Sequence, residues 1–461
     1  MQSRWKFSAP GLSRQSLARA LLALALISPN ALSMAAPANP KGDDARLLLD
    51  ALQAGDYTGA EVHFSAQMAQ ALPPDRLKAV WESLQHQLGP LQSRGDATIT
   101  QEGAMTLIVV PLQFERGKMT AHIRVDADSH IAGLLLQPVA APLPPAAPVA
   151  RDAGFQERSI EVPGEPGPLP GTLAMPTGAG PFPAVVLVHG SGPNDRDESV
   201  GGNRPFLDLA RGLAARGIAV LRYDKRTLAR PQDFASGAYT MDDETTNDAV
   251  AAIATLRATA GIDPARVFVL GHSQGAMLAP RIATRAGVLA GVVMWAAPAR
   301  PLLTLLPEQN RYLLGLDGDL STQDQAFLDD LQRKIAHIRS GAAVATKDSP
   351  LGVPASYWRA FEQVDARRDA LALRVPLLLL QGGRDFQVTD TDWRLWQTTL
   401  KDDPRATLEA YPALNHLGIA GSGPGLPGEY AQPGRVDAQL IGDVADWLLA
   451  QPGIAQGTTK P

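Results

Sequence analysis

From about residue 154 onward, short aliphatic runs alternate with stretches of helical periodicity. The runs are Ala184–Val188, Ile218–Tyr223, Val267–Leu270, Gly291–Trp295 and Val375–Leu380. Runs this apolar leave no polar face, so the strands they form are covered on both sides. Their alternation with helices predicts an α/β fold with a mostly parallel, doubly wound sheet. Between the strand ending at Ala297 and the one starting at Val375 lie residues 298–374, far more than the roughly dozen residues a crossover needs. That excess predicts a helical cap insertion, one helix of which turns Phe327, Leu331, Ile335 and Ile338 to a common apolar face.

Residues 43–137 follow a different plan, helices first and strands afterwards. Leu77, Val80, Trp81, Leu84 and Leu88 repeat at helical spacing, while Met105–Phe114 and Met119–Val125, separated by Glu115–Lys118, predict a β-hairpin. The segment is expected to be a small α+β domain. Its histidines (His63, His86, His122, His130) have no metal-ligand spacing, and nothing in it identifies a partner. Residues 138–153 are rich in proline and alanine, a composition that favours extended polyproline II and predicts a linker to a second domain over 154–452.

Residues 1–35 carry Arg4, Lys6, Arg14 and Arg19 and no acidic residue. An apolar run, Ala20–Ile27, and the small-residue site Ser33-Met34-Ala35 follow. Basic, apolar, cleavable is the order of a secretory signal peptide, and the run is short of the roughly 20 residues that span a bilayer. The chain is therefore expected to be exported, to the periplasm or the medium, with no stable membrane insertion after cleavage. Over 461 residues the net charge is −5, which argues against a nucleic-acid role. The absence of cysteine excludes disulfides, thiolate zinc sites and a cysteine nucleophile. No metal or other cofactor is implied.

The chemistry concentrates at Val267-Phe-Val-Leu-Gly-His-Ser-Gln-Gly275, a buried-strand pattern running into Gly-x-Ser-x-Gly, with a helix from Ala276. Strand, tight turn and helix form the context in which this motif exposes a serine hydroxyl at the sheet's carboxyl edge; a side chain at Gly271 or Gly275 would collide with neighbouring backbone. Ser273 is the candidate nucleophile. A serine needs a base to take its proton and an acid to orient that base, and on such an elbow the chain order is serine, acid, histidine. Only His337 and His416 follow Ser273. His337 sits in a helical run with no strand-end acid before it, whereas His416 lies in a loop after a strand, so His416 is the candidate base. The run Pro376–Leu380 leads into Gln-Gly-Gly-Arg-Asp385, making Asp385 the candidate acid. Asp390 and Asp392 fit better as the cap and first-turn charges of the next helix. Acyl transfer also needs donors for the developing oxyanion. The Gln274 amide is one; the loop Val188-His-Gly-Ser-Gly-Pro193 offers Gly190 and Ser191 for the other, with Ser191 preferred.

Four strings, His189-Gly-Ser-Gly-Pro-Asn-Asp-Arg-Asp197, Tyr223-Asp-Lys-Arg226, Gly271-His-Ser-Gln-Gly275 and Gln381-Gly-Gly-Arg-Asp-Phe-Gln-Val388, resemble a bacterial carboxylesterase group of the α/β-hydrolase superfamily, often classed with serine aminopeptidase-like hydrolases. The resemblance covers residues 154–450, and members of the group often carry an N-terminal domain of unknown function with the layout of residues 43–137. It implies an α/β-hydrolase fold with a cap, and hydrolysis of small carboxylic esters through an acyl-enzyme with Ser273, Asp385 and His416 as triad. Relatives usually have glycine after Asp-Lys-Arg where this chain has Thr227, which predicts a reshaped loop. An amide or N-terminal peptide substrate is the rival, kept open by acids of the insertion (Asp317, Asp319, Asp324, Asp329, Asp330) that could hold an amino group; a non-catalytic binding protein is the more distant alternative. Charged Asn194–Asp197 reads as a structural knot of ion pairs, and the glycine- and proline-rich stretch after His416 as a mobile rim.

Overall fold

The computed structural model describes residues 41–102, 105–138, 146–234, 237–287 and 289–453. The export segment expected over 1–35, and residues 139–145 of the expected linker, lie outside them. The chain divides into two compact units, the second beginning at Ala146.

The first unit opens with helices α1 (Lys41–Ala54) and α2 (Pro74–Leu88), with two short helices between. Strands β1 (Leu91–Arg94), β2 (Thr98–Glu102), β3 (Met105–Phe114), β4 (Gly117–Val125) and β5 (Ile131–Pro138) then form an antiparallel sheet in the order β1-β3-β4-β5, with β2 also paired to β3. Along β3, Ile108, Val110, Leu112 and Phe114 turn inward at the period of two that a one-sided sheet requires. They meet Leu77 and Trp81 of α2. Val80, expected on the same face, is 45% exposed: the buried stripe runs through 77, 81, 84 and 88 and leaves position 80 on its flank.

The second unit is α/β, built on an eight-stranded sheet. Its strands are β6 (Phe155–Val162), β7 (Leu169–Pro176), β8 (Phe182–Val188), β9 (Ala219–Tyr223), β10 (Ile262–His272), β11 (Gly291–Trp295), β12 (Leu377–Gly382) and β13 (Ala406–Tyr411), in the order β13-β12-β11-β10-β8-β9-β7-β6. All neighbours run parallel except β6 with β7 and β7 with β9. The aliphatic runs became the inner strands β8 to β12. Edge strand β6 and its neighbour β7 carry no such run; in β6, Phe155-Gln-Glu-Arg-Ser-Ile-Glu-Val162 faces solvent on one side.

Alternate strand residues enter two cores. Val186, Leu221, Val269 and Met294 meet helices α4 (Asn247–Arg257), α5 (Gln274–Ala286) and α10 (Asp390–Leu400). Val185, Val220, Leu270 and Val293 meet α3 (Pro205–Ala214) and α11 (Ala438–Ala450) on the opposite face. Right-handed crossovers between parallel strands place helices on both faces and leave the loops at the carboxyl edge free for chemistry.

Between β11 and β12 the chain forms helices α6 (Leu302–Leu314), α7 (Thr322–Arg339), α8 (Ala355–Glu362) and α9 (Ala366–Ala372). On α7 the buried stripe is Leu328, Leu331, Ile335 and Ile338; Phe327, expected inside, is 41% exposed. Leu328 completes the i, i+3, i+7, i+10 row that a packed helix face follows.

Asp392 is more than the first-turn charge the sequence suggested. Its carboxylate is fully buried and accepts the backbone N–H groups of Ala299 and Arg300 at 3.0 and 3.1 Å and the Arg300 guanidinium at 2.8 Å. It thereby ties the start of the insertion to α10. Asp390 pairs with Arg394 on the exposed face of that helix. Asp392→Ala is expected to lower unfolding stability by about 3 kcal/mol, because the Ala299 and Arg300 amides lose their acceptor and the Arg300 guanidinium is left with the half-exposed Glu308 alone. Denaturant melts of the two proteins measure this, and a difference under about 1 kcal/mol would contradict the assignment.

Candidate active site

Ser273 ends β10 and starts α5 at φ +54°, ψ −118°, a conformation costly for a residue with a side chain. It is fixed from both sides, its N–H bonded to Trp295 O at 2.9 Å and its carbonyl accepting Met277 N–H at 3.0 Å. The flanking glycines are sterically required. A Cβ at Gly271 would lie 2.2 Å from Gly275 O, and one at Gly275 would lie 2.2 Å from Val188 O. β8 pairs with β10 so that Val188 lies opposite Gly271, which puts the loop after β8 beside the elbow.

On the other flank, β12 and β13 are neighbours, with Gly382 opposite Tyr411. Asp385 follows the first of these strands and His416 the second. The structure brings them together: His416 Nδ1 is 2.6 Å from Asp385 Oδ2, with both side chains buried. The other oxygen of Asp385 accepts the N–H groups of Gln387 and Val388 at 2.8 and 2.9 Å, which fixes the carboxylate plane. The ring of His416 lies 4.7 Å from that of His272, the residue before Ser273. Among the described residues, neither the Ser273 hydroxyl nor His416 Nε2 has a hydrogen-bond partner.

The two amides offered by the loop after β8 differ. Gly190 N–H is bonded to Glu198 Oε1 at 2.6 Å and is taken. The Ser191 and Gln274 N–H groups have no acceptor among the described residues. The side chains of these two residues are joined, Ser191 Oγ–H donating to Gln274 Oε1 at 2.8 Å. The charged stretch Asn194–Asp197 is a knot of ion pairs: Arg196 is bidentate on Asp224 and Arg222 bridges Asp197 and Glu157. His189 is buried between the rings of Phe206 and Tyr223, and burial pushes it down to about 4, so it is neutral.

Four buried charged or titratable residues of this site escaped the sequence reading. Glu198 and His272 face each other at 2.9 Å, and His272 Nε2 lies 2.9 Å from the carbonyl of His416. The pair therefore joins the loop after β8, the elbow and the His416 loop. Lys225 and Glu244 form a second buried pair at 3.2 Å. Lys225 and His272 stood in noted strings without a role of their own, and no spacing pattern marks Glu198 or Glu244. Arg226, the next residue, is bound to Asp248 and Asp233 and opens a short helical turn at Arg226–Ala229.

Of the insertion's aromatic residues, Trp358 is core, its indole N–H on Pro350 O. Tyr312 bonds Gly425 O, and Tyr357 reaches Glu244 and Gln274. The stretch after His416 is pinned rather than free: the Arg384 guanidinium holds the carbonyls of Ser422, Gly423 and Pro424 and the Glu429 carboxylate. Among the described residues no cluster of histidine and acidic side chains is arranged to hold a metal ion, and no helix is long and apolar enough to cross a membrane.

The family described as alpha/beta hydrolase matches residues 185–425, and one described as a protein of unknown function (DUF3887) matches residues 45–134. Esterase EstD of Thermotoga maritima is 36% identical over 408 residues, 88% of this chain and 95% of that protein. Among solved structures, an esterase of Pyrococcus furiosus is 16% identical with a TM-score of 0.44, over 68% of this chain and 98% of its own. A puromycin-hydrolysing peptidase of Mycobacterium tuberculosis is 19% identical with a TM-score of 0.42, over 79% of this chain and 49% of its own.

The Glu198–His272 pair has a pH signature. Burial alone would lower His272, but the facing Glu198 carboxylate outweighs it and the net shift is upward. Burial alone would raise Glu198, and His272 reverses that to a net lowering. His272 thus contributes stability in full below pH 6.5 and loses it as pH rises through its raised value; the Glu198 contribution is lost only as pH falls through its lowered one. His272→Gln is expected to cost about 3 kcal/mol near pH 6, with the deficit shrinking toward pH 10. Thermal melts across that range measure it, and a deficit that holds constant would refute the ion-pair description.

Proposed function

The chain belongs to the alpha/beta hydrolase family and is a hydrolase, and we propose that it is an exported serine esterase cleaving small carboxylic esters through an acyl-enzyme. The observation that carries this reading is the 2.6 Å contact between His416 Nδ1 and Asp385 Oδ2, with His416 packed on His272, the neighbour of a serine held at positive φ on a Gly-x-Ser-x-Gly elbow. The named esterase relative, aligned over most of both chains, supports the ester class.

In this mechanism His416 Nε2 takes the Ser273 proton as Oγ bonds to the ester carbonyl carbon. Asp385 holds the ring through Nδ1 and stabilises the imidazolium that forms. The carbonyl oxygen, now an oxyanion, accepts the N–H groups of Ser191 and Gln274. Collapse breaks the bond to the alkoxy oxygen, which leaves as alcohol with the proton from His416. Water then attacks the acyl-Ser273 ester, giving its proton to His416; the second tetrahedral intermediate releases the carboxylic acid and returns the proton to Ser273 Oγ. Catalytic hydrogen bonds commonly tighten only when substrate binds, so the Ser273–His416 bond is expected to form in the substrate complex.

The peptide reading requires acids of the insertion to hold an amino group. Three of them are engaged locally: Asp324 in a capping box with Ser321, Asp329 with Gln325, and Asp330 with Arg333 and Lys334. That leaves the ester reading better supported. The basic, apolar and cleavable order of residues 1–35 supports export.

Ser273→Ala is expected to cut turnover of nitrophenyl esters by about 10⁴-fold or more without loss of fold, and a fluorophosphonate should label the parent at Ser273 alone. His416→Ala and Asp385→Asn should each lower kcat by orders of magnitude, with the double variant barely worse than the worse single. Full activity in Ser273→Ala, or label on Ser191, overturns the mechanism. For export, sequencing of the mature protein should start near Ala36; an intact Met1 on the membrane would count against it.

A further inference from the structure

The Lys225–Glu244 pair is buried, with each side chain 2% exposed, and the mechanism above assigns it no task. Its main side-chain contacts lead to the two amides proposed as oxyanion donors. Lys225 Nζ donates to Gly190 O at 2.8 Å, and Gly190 C=O belongs to the same peptide unit as Ser191 N–H. Carbonyl and N–H of one trans peptide point in opposite directions, so a cation fixed on the carbonyl aims the N–H away from itself. A charged donor on the carbonyl also polarises the peptide and strengthens its N–H as a donor.

Glu244 anchors the other half. Its Oε2 accepts Gln274 Nε2–H at 2.9 Å and lies 2.8 Å from the Tyr357 hydroxyl, while Gln274 Oε1 receives the Ser191 hydroxyl at 2.8 Å. Glu244 sits in a π-helical turn, Asp242–Thr246, ahead of α4. Such wide turns often mark functional positions. Tyr357 comes from α8 of the insertion, and burial together with the Glu244 charge keeps its hydroxyl protonated and able to donate.

We propose that Lys225 and Glu244 are positioning residues for the oxyanion hole, Lys225 aiming and polarising the Gly190–Ser191 peptide and Glu244 holding Gln274, with Tyr357 making that arrangement depend on the docked insertion. This rests on the serine-esterase reading. The pair acts on the transition state because the ester carbonyl of bound substrate carries little of the charge that the oxyanion develops.

The test measures nitrophenyl acetate kinetics, thermal midpoint and affinity for an aryl boronic acid, which forms a tetrahedral adduct with a nucleophilic serine. Lys225→Met and Glu244→Gln should each lower kcat about 10- to 100-fold, less than the 10²- to 10³-fold seen when a donor itself is removed. KM should stay within about threefold, and boronic acid affinity should weaken in step with kcat/KM. Ser191→Ala, which keeps the amide but loses the side-chain link to Gln274, and Tyr357→Phe should move the same quantities by about 3- to 20-fold, and they decide the matter if the charge variants do not fold. A lowered thermal midpoint with unchanged kcat and boronic acid affinity in all four overturns the inference, while Ser273→Ala inactivity leaves the esterase reading standing. An active Ser273→Ala overturns that reading first.

Discussion

The carboxyl edge of this sheet is organised around a single backbone conformation, Ser273 at φ +54° between a strand and a helix. A left-handed residue with a side chain costs about 1–2 kcal/mol, so the surroundings must over-determine it. They do so through the Ser273 N–H bond to Trp295 O, the helix that begins at its carbonyl, and two glycines whose Cβ atoms would strike backbone. The strand order follows from the same need. With β10 central, β8 beside it supplies the Gly190–Ser191 peptide, while β12 and β13 further along supply Asp385 and His416. A strand moved by one place would separate the groups that the edge collects.

Loops at such an edge are made mostly of irregular backbone, and here buried charge holds them. Glu198 with His272 joins the β8 loop to the elbow, Arg226 with Asp248 holds the turn after β9, Asp392 with Arg300 anchors the root of the insertion, and Arg384 with Glu429 pins the stretch after His416. Buried pairs are poor sources of net stability, because desolvation offsets most of their attraction. Their effect is directional. An ion that leaves its partner pays the full desolvation penalty, so the loop has one acceptable position.

How much of this was legible beforehand follows from how each feature is encoded. The inner strands are continuous apolar runs, and the elbow is a local pattern of glycines around serine, so both can be read from neighbouring residues. Asp385 and His416 could be chosen because chain order and strand ends constrain them. Strand β6 was missed because a one-sided strand at an edge carries mixed polarity, and its neighbour β7 because Pro170, Gly171, Thr172 and Pro176 interrupt its apolar run. Phe327 and Val80 were placed inward because periodicity locates a stripe only to within its flank. Glu198, His272, Lys225 and Glu244 have ion-pair partners 19 or more residues away; their meaning exists only after the strands are assembled. Asp392 illustrates the limit, since its position in a first helical turn fits a surface charge as well as the buried anchor it is.

A carboxylate near a developing oxyanion would ordinarily oppose it, and Glu244 lies two hydrogen bonds from Ser191. The arrangement removes the objection in two steps. Lys225, 3.2 Å away, makes the pair neutral overall, so its field falls off as that of a dipole rather than a charge. The remaining oxygen of Glu244 is met by donors from Gln274 and Tyr357, which spread its charge further. The cationic end of that dipole is the end bonded to the Gly190 carbonyl. The peptide leading to Ser191 N–H therefore feels the ammonium at closer range than the carboxylate, and a neutral pair can favour negative charge on one side of itself while adding no net charge to a buried site.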